Sequence, residues 1–317
     1  MRKLLLAFAA ASALVLPAKA QEVTVAITAI VEHPALDAAR DGVKAALADA
    51  GYKEGENIKF LYESAQGNPG TAAQIARQFV GEEPTVIVPI STPSAQAVVA
   101  ATRDIPVVFT AVTDPVSAQL VTNLDKPGGN VTGLSDMSPV ADHIKLIKEI
   151  TPNVKTVGFV YNTAEANSVS TLAAMKAEAE NAGLTIVESV ATKSSEVQGA
   201  TRALIGRVDA IYIPTDNTIV SALEAAVGVA EEAKVPLYSG DTDSVARGAL
   251  ASISFNYFDV GRQTGEIVAR VLKGEAPGDI KVNVASGTDL VVNKKAAEKM
   301  GVIFSDDLVK RAKKVIE

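Results

Sequence analysis

Residues Thr85 to Thr102 read TVIVPISTPSAQAVVAAT. Val86 to Ile90 is short, apolar and β-branched, as a strand buried on both faces must be. The run breaks at Ser91-Thr92-Pro93-Ser94 and resumes as an alanine-rich helical pattern. Ser91 or Thr92 suits the N-cap, and Pro93 the first helical turn. A strand therefore delivers hydroxyls and free backbone N–H groups to the positive end of a helix, which holds an anion well.

The pattern recurs. Ala210 to Ala225 reads AIYIPTDNTIVSALEA, and aligning Pro89 with Pro214 sets Ser91-Thr92 opposite Asp216-Asn217. Each copy precedes an X-Pro-apolar strand, Ile105-Pro106-Val107-Val108-Phe109 in the first and Val235-Pro236-Leu237-Tyr238 in the second. These end in Thr113-Asp114 and Asp241-Thr242-Asp243. Two readings stand: two lobes facing each other across a cleft, or two ordinary βα units of one sheet. Recurrence of several features in the same order favours two lobes.

Outward from these copies, strands and helices alternate along the chain, which predicts α/β architecture with parallel, doubly wound sheets. The register restarts near Ser135, with no low-complexity linker, so plain strands are expected to cross between lobes. The helix after Phe255, carrying Gly261 and Gly265, is expected to return to the first lobe. The expected division is residues 21–134 with 257–282 in the N-terminal lobe, and 135–256 with 283–317 in the C-terminal lobe.

The chain starts MRKLLLAFAAASALVLPAKAQE. A basic Arg2-Lys3, an apolar Leu4 to Leu16 and a small-x-small Ala18-Lys19-Ala20 describe a secretory signal, residues 1–20, cleaved after Ala20. An exported, periplasmic protein is expected. The 317 residues suffice for two domains, and a net charge of −7 argues against a nucleic-acid partner. With no cysteine, thiolate metal sites and thiol nucleophiles are excluded. The first βα turn, Thr28 to Pro34, has no glycine fingerprint, so a dinucleotide is not expected, and no cofactor or metal is assigned. Only His33 and His143 could serve a catalytic triad or zinc site. His143, within Asp142-His143-Ile144-Lys145, reads as a solvated helix residue. His33 sits beside Glu32 at a strand end, where a surface-loop role and a ligand contact weigh equally.

The polar strand ends describe binding rather than chemistry. Ser91, Thr92 and Thr113, with Asp114 beside them, stand at helix N-termini of the first lobe, and the hydroxyls suit a carboxylate. In the second lobe Asp216 and Asp241 suit an ammonium group, and Asn162, Asn167 and Asn217 can orient either. With Glu32 and His33 these residues form the candidate site for a small zwitterion such as an α-amino acid. The competing reading is that each merely caps a helix. Ile30, Tyr161 and Tyr238 are candidates for an apolar wall.

Several segments, in this order, carry a resemblance. They are the signal peptide, Ser91-Thr92-Pro93-Ser94-Ala95-Gln96, Val112-Thr113-Asp114-Pro115, and Gly128-Gly129-Asn130-Val131-Thr132-Gly133. Val160-Tyr161-Asn162 with Glu165, Asn167 and Ser168, Pro214-Thr215-Asp216-Asn217, and Val291-Val292-Asn293 complete the series. The chain resembles the TrpX-type substrate-binding proteins of ABC transporters over nearly all of its mature length. The resemblance implies a type I periplasmic-binding-protein fold of two Rossmann-like lobes, hinged by three crossover strands, and no catalysis. It also implies an aromatic amino acid as ligand and an inner-membrane permease as partner of a monomeric binding protein. Sensing for a membrane receptor, or less readily a secreted α/β enzyme, are the alternatives.

Overall fold

The computed structural model describes residues 23–317, so the expected signal peptide and its cleavage point after Ala20 lie outside the described residues. Strands and helices alternate from the start: β1 (Val23–Ala29), α1 (Pro34–Asp49), β2 (Ile58–Ser64), α2 (Pro69–Gly81), β3 (Val86–Ile90), α3 (Thr92–Ala101), β4 (Val107–Val112) and β5 (Val131–Ser135). There follow α4 (Val140–Ile150), β6 (Thr156–Tyr161), α5 (Ala166–Asn181), β7 (Thr185–Val190), α6 (Val197–Arg202), β8 (Ala210–Ile213), α7 (Asn217–Ser221), α8 (Leu223–Ala233), β9 (Leu237–Ser239), α9 (Asp243–Ala246) and β10 (Ala251–Phe255). The chain closes with α10 (Tyr257–Leu272), β11 (Asn283–Val284), β12 (Thr288–Asn293), α11 (Lys294–Met300), α12 (Asp306–Arg311) and β13 (Lys314–Ile316).

The strands form three sheets. The first has order β11-β5-β4-β3-β1-β2 and the second β7-β6-β8-β9, both parallel throughout. The third is β10-β12-β13, with β10 and β12 antiparallel. β3 is buried at all five residues near the middle of the first sheet, which is why its sequence is uniformly apolar rather than alternating. Strand order 2-1-3-4 in one sheet and 7-6-8-9 in the other is the same winding twice, so the recurrence in sequence reflects two lobes.

The buried apolar residues form two separate clusters. One gathers buried residues from 25–134 and 255–285, the other from 140–251 and 290–308. The chain passes between them near 136–139, near 256, and between β11 and β12. β11 pairs with β5 at Asn283↔Leu134 and Val284↔Ser135, so residues 283 and 284, allotted above to the second lobe, sit in the first sheet. A two-residue edge strand has too little apolar pattern to announce itself. β13 is likewise absent from the sequence expectation.

α10 returns to the first lobe and lies along α1. Contact is close because glycines face backbone: a Cβ on Gly261 would collide with the Ala39 carbonyl, and one on Gly42 with that of Phe258. Gly265 meets Val43 and Ala46 in the same way. This packing anchors the second interlobe crossing to the first lobe.

His143 departs from expectation. It is buried on α4, with Nδ1 2.7 Å from the Tyr212 hydroxyl and Nε2 2.7 Å from the Ile253 carbonyl. A carbonyl only accepts, so Nε2 carries the proton and Nδ1 accepts from Tyr212. Loss of hydration lowers its pKa from 6.5 to about 4, against the weaker pull of the Ile253 carbonyl and Asp142. The apolar positions of α4 put His143 on its inner face beside Ile144 and Ile147, which the flanking charges had masked.

Two outcomes are expected. Gly261→Ala should destabilise the protein by about 1–3 kcal/mol, the range for overpacking, measured by denaturant titration. In NMR titration His143 should stay neutral, as the Nε2–H tautomer, as pH falls from 7 to 5. The unfolded chain takes up this proton from about pH 6.5 downward, whereas the folded one does so only near 4. This group therefore supports folding fully above pH 6.5, and its share drains away as pH falls toward 4.

Candidate functional site

Strand C-termini of the two lobes face one another, and the loops beyond them enclose a cavity. Ser91 after β3, Ala111 and Thr113 from β4 and its end, and Asp136 after β5 line it from the first lobe. Thr215, Asn217 and Asp241, following β8 and β9, line it from the second, with Asn167 from α5. Tyr257 closes one side, while His33, Leu36 and Val220 supply further wall. The cavity's empty volume is about 350 Å³, space open to solvent included. Most of the residues that line it from either lobe are buried, so the lobes are closed on each other.

Ser91 is the strained point. Its φ of 79° and ψ of 158° fall in a region that essentially only glycine occupies. The strain is held by its N–H, which donates to the Thr110 carbonyl at 3.0 Å, and by the start of α3 one residue later. Although Ser91 is the N-cap of α3, its hydroxyl makes no capping bond. It is buried without a partner in the protein, as are the hydroxyls of Thr92 and Ser94. The first N–H groups of α3 have no intrahelical acceptor either. Capping thus fails to account for Ser91. Ala111, at φ 53°, marks a second irregularity, where the β4–β5 register shifts between Phe109 and Val112.

Two buried carboxylates face the same space. Asp241 accepts from the Ser244 N–H at 2.7 Å and the Ser244 hydroxyl at 2.6 Å. Burial pushes its pKa up against those hydrogen bonds and the charge of Arg247. Asp136 accepts from the Tyr257 hydroxyl at 2.6 Å and the Thr113 hydroxyl at 3.2 Å, and burial raises it as well. Neither carboxylate has an ion-pair partner among the described residues. The Asn167 Oδ1 and Thr215 Oγ1 are buried and unpartnered beside them. His33 has a buried, unpartnered Nδ1; desolvation, then the Arg247 charge, lowers its pKa to about 4, so its ring is neutral.

The remaining candidates are placed differently. Asp216 is fully buried and does not reach the cavity: it caps α7 through the Ile219 N–H and accepts from the Asn162 N–H and the Ser168 hydroxyl. Burial and the charge of Glu165 raise its pKa well above the carboxylate norm. Its hydrogen bonds make it an internal brace of the second lobe. Glu165 is a second brace, holding Asn217 and Thr218 through backbone and side chain, with Asn167 at 3.1 Å. Asp114 caps its own turn at Val116 and Ser117, and exposed Glu32 meets only the Tyr62 hydroxyl at 3.4 Å. Thr92 lies beside Ser91 but off the cavity wall. Asn162 lines a wider compartment of the same cleft, about 1010 Å³, shared with Ile30, Pro93, Lys193 and Asn217. Tyr161 and Tyr238 belong to the second lobe's core, where their hydroxyls meet Glu188 and Thr151, so they form no ligand wall. Asp136, Thr215 and Tyr257 were missed. A signal existed for Asp136, which follows an apolar strand as Thr113 and Asp241 do.

Among the described residues no group of three or more His, Asp or Glu is placed to hold a metal ion, and no helix is long and apolar enough to cross a membrane.

Comparison with known proteins gives a consistent result. The family model described as ABC transporter substrate binding protein matches residues 24–316. A tyrosine-binding protein of Clostridioides difficile (strain R20291) is 41% identical over 299 residues, covering 91% of this chain and 87% of its own. A Streptococcus pneumonia ABC domain solved in complex with L-Trp superposes with a TM-score of 0.90 at 38% identity, covering 93% of this chain and 100% of its own. The ligand-free, open structure of a substrate binding protein with adhesive properties from Clostridium difficile reaches 0.71 at 39% identity, covering 93% and 99%. At nearly equal identity, the superposition is closer to the L-Trp complex than to the ligand-free, open structure.

The strain at Ser91 can be measured directly. Ser91→Gly and Ser91→Ala both remove the hydroxyl, but only glycine relaxes the backbone. The glycine variant should be more stable than the alanine one by about 1–3 kcal/mol in ligand-free denaturation.

Proposed function

We infer the role of this protein from its kinship: the chain belongs to the ABC transporter substrate binding proteins. We propose that its ligand is an α-amino acid with an aromatic side chain, held between the lobes. The observation that carries this reading is the pairing within one cavity of a partnerless Ser91 hydroxyl at a helix N-terminus with the buried carboxylate of Asp241 on the facing lobe. The helix end and hydroxyl suit the ligand carboxylate, and Asp241 suits the ammonium group. Thr113, Asn167 and Asn217 orient the ends, while Leu36, Val220 and the Tyr257 ring offer apolar contact for the side chain. The aromatic assignment draws on the tyrosine- and tryptophan-binding relatives.

The lobes, residues 23–136 with 257–285 and 140–255 with 286–317, then work as jaws. Ligand bridges them and favours the shut form through contacts that exist only there. The shut protein, a monomer exported to the periplasm, presents its ligand unchanged to the permease of an importer.

The test is calorimetry and thermal shift across L-tryptophan, L-tyrosine, L-phenylalanine, sugars and dicarboxylates. At least one aromatic amino acid should bind, and Asp241→Asn should weaken it by about tenfold or more, the scale of one charge-assisted hydrogen bond. Melting shifts produced by sugars alone would overturn the assignment.

A further inference from the structure

Two of the three interlobe crossings meet at one buried hydrogen bond. Asp136 is the first residue after β5, where the chain leaves the first lobe, and Tyr257 opens α10, where it comes back. The Tyr257 hydroxyl donates to Asp136 Oδ2 at 2.6 Å, and the Thr113 hydroxyl to Oδ1 at 3.2 Å. The Asp136 N–H donates to the Val112 carbonyl at 3.1 Å, which fixes its backbone, and the Tyr257 and Thr113 hydroxyls hold its carboxylate. All three side chains line the ligand cavity. Asp136 is 2% exposed and Tyr257 3%. Each Asp136 oxygen has one donor and room for another. Among the described residues no cationic side chain pairs with Asp136; the titratable groups that share its cavity are Tyr257, neutral His33 and the second acid, Asp241.

We propose that Asp136 is a second acceptor for the ligand's ammonium group and that Tyr257 is its positioning residue, so the hinge itself reads the ligand's charge. This rests on the amino-acid reading above. An ammonium has three N–H donors. Asp241 on the second lobe takes one and Asp136 on the hinge another, which ties the moving jaw to the axle. A ligand with the same carboxylate and ring but no amino group leaves both acids without a cation. It engages the first lobe without drawing the second onto the hinge. The selected class is therefore the α-amino acid, against the corresponding 3-arylpropionate.

The experiment measures binding of L-tyrosine and of 3-(4-hydroxyphenyl)propionate, or of L-tryptophan and indole-3-propionate, to wild type, Asp136→Asn, Tyr257→Phe and the double variant. Asp136→Asn should cut the preference for the amino acid by about tenfold or more and leave the propionate within about twofold. Tyr257→Phe should cut the preference by a smaller factor in the wild-type background and by nothing further beside Asp136→Asn, because it acts through Asp136. An unchanged preference in Asp136→Asn overturns the proposal. An equal effect of Tyr257→Phe in both backgrounds reduces Tyr257 to packing and overturns its part. If Asp136→Asn fails to fold, Tyr257→Phe, which keeps the carboxylate, decides: full wild-type preference then counts against the idea. Failure of the wild type to bind any aromatic amino acid would strike the parent reading instead, so the two failures are distinguishable.

Discussion

A shut cleft between two lobes must satisfy the polar groups it buries, and the lobes alone do not. Ser91 Oγ, Thr215 Oγ1, Asn167 Oδ1 and His33 Nδ1 are buried on the cavity wall without a protein partner. Each desolvated, unpaired group costs about 1–3 kcal/mol. Four such groups together amount to a penalty on the order of the ~5.5 kcal/mol that swings a two-state equilibrium from one side to the other. The shut form thus becomes favourable when a molecule brings the missing donors and acceptors. The two buried carboxylates sharpen the demand, because each accepts hydrogen bonds but has no cation beside it among the described residues.

That demand can be specific only if the walls are stiff. In the second lobe, stiffness comes from acids that face inward rather than at the ligand. Asp216 and Glu165 together receive eight hydrogen bonds from Asn162, Asn167, Ser168, Asn217, Thr218 and Ile219. They hold the very amides that line the cleft. In the first lobe it comes from the α1–α10 contact, where Gly42, Gly261 and Gly265 let backbones touch. α10 begins at Tyr257, so this seam also fixes where the second crossing emerges.

Much of this was legible in the sequence, for reasons that can be stated. β3 ended where composition placed it, because a buried parallel strand is an apolar run with a sharp polar end. The two-lobe winding followed from the recurrence around Pro89 and Pro214. Site residues split by a different rule. Ser91, Thr113, Asn167, Asn217 and Asp241 do line the cavity, because strand C-termini face the cleft. Asp136 and Tyr257 escaped notice because they sit on crossings, whose place beside the cavity depends on how the lobes pack rather than on local pattern. His143 was misjudged for the reverse reason: charged neighbours on α4 hid the fact that its own position is on the apolar face.

Ser91 and Asp216 show where sequence symmetry stops being chemical symmetry. Both stand two residues after an aligned proline and precede a helix. Asp216 has an extended backbone and a carboxylate long enough to reach the Ile219 N–H, so it turns onto its own helix and is spent there. Ser91 has positive φ, its N–H is held by the Thr110 carbonyl, and its short hydroxyl makes no bond to α3. One helix end is thereby closed by its own lobe, and the other is left open to whatever enters. A duplicated scaffold has become a cleft with an open helix end on one side and a buried acid on the other, and under the amino-acid reading that polarity would orient a zwitterion in only one direction.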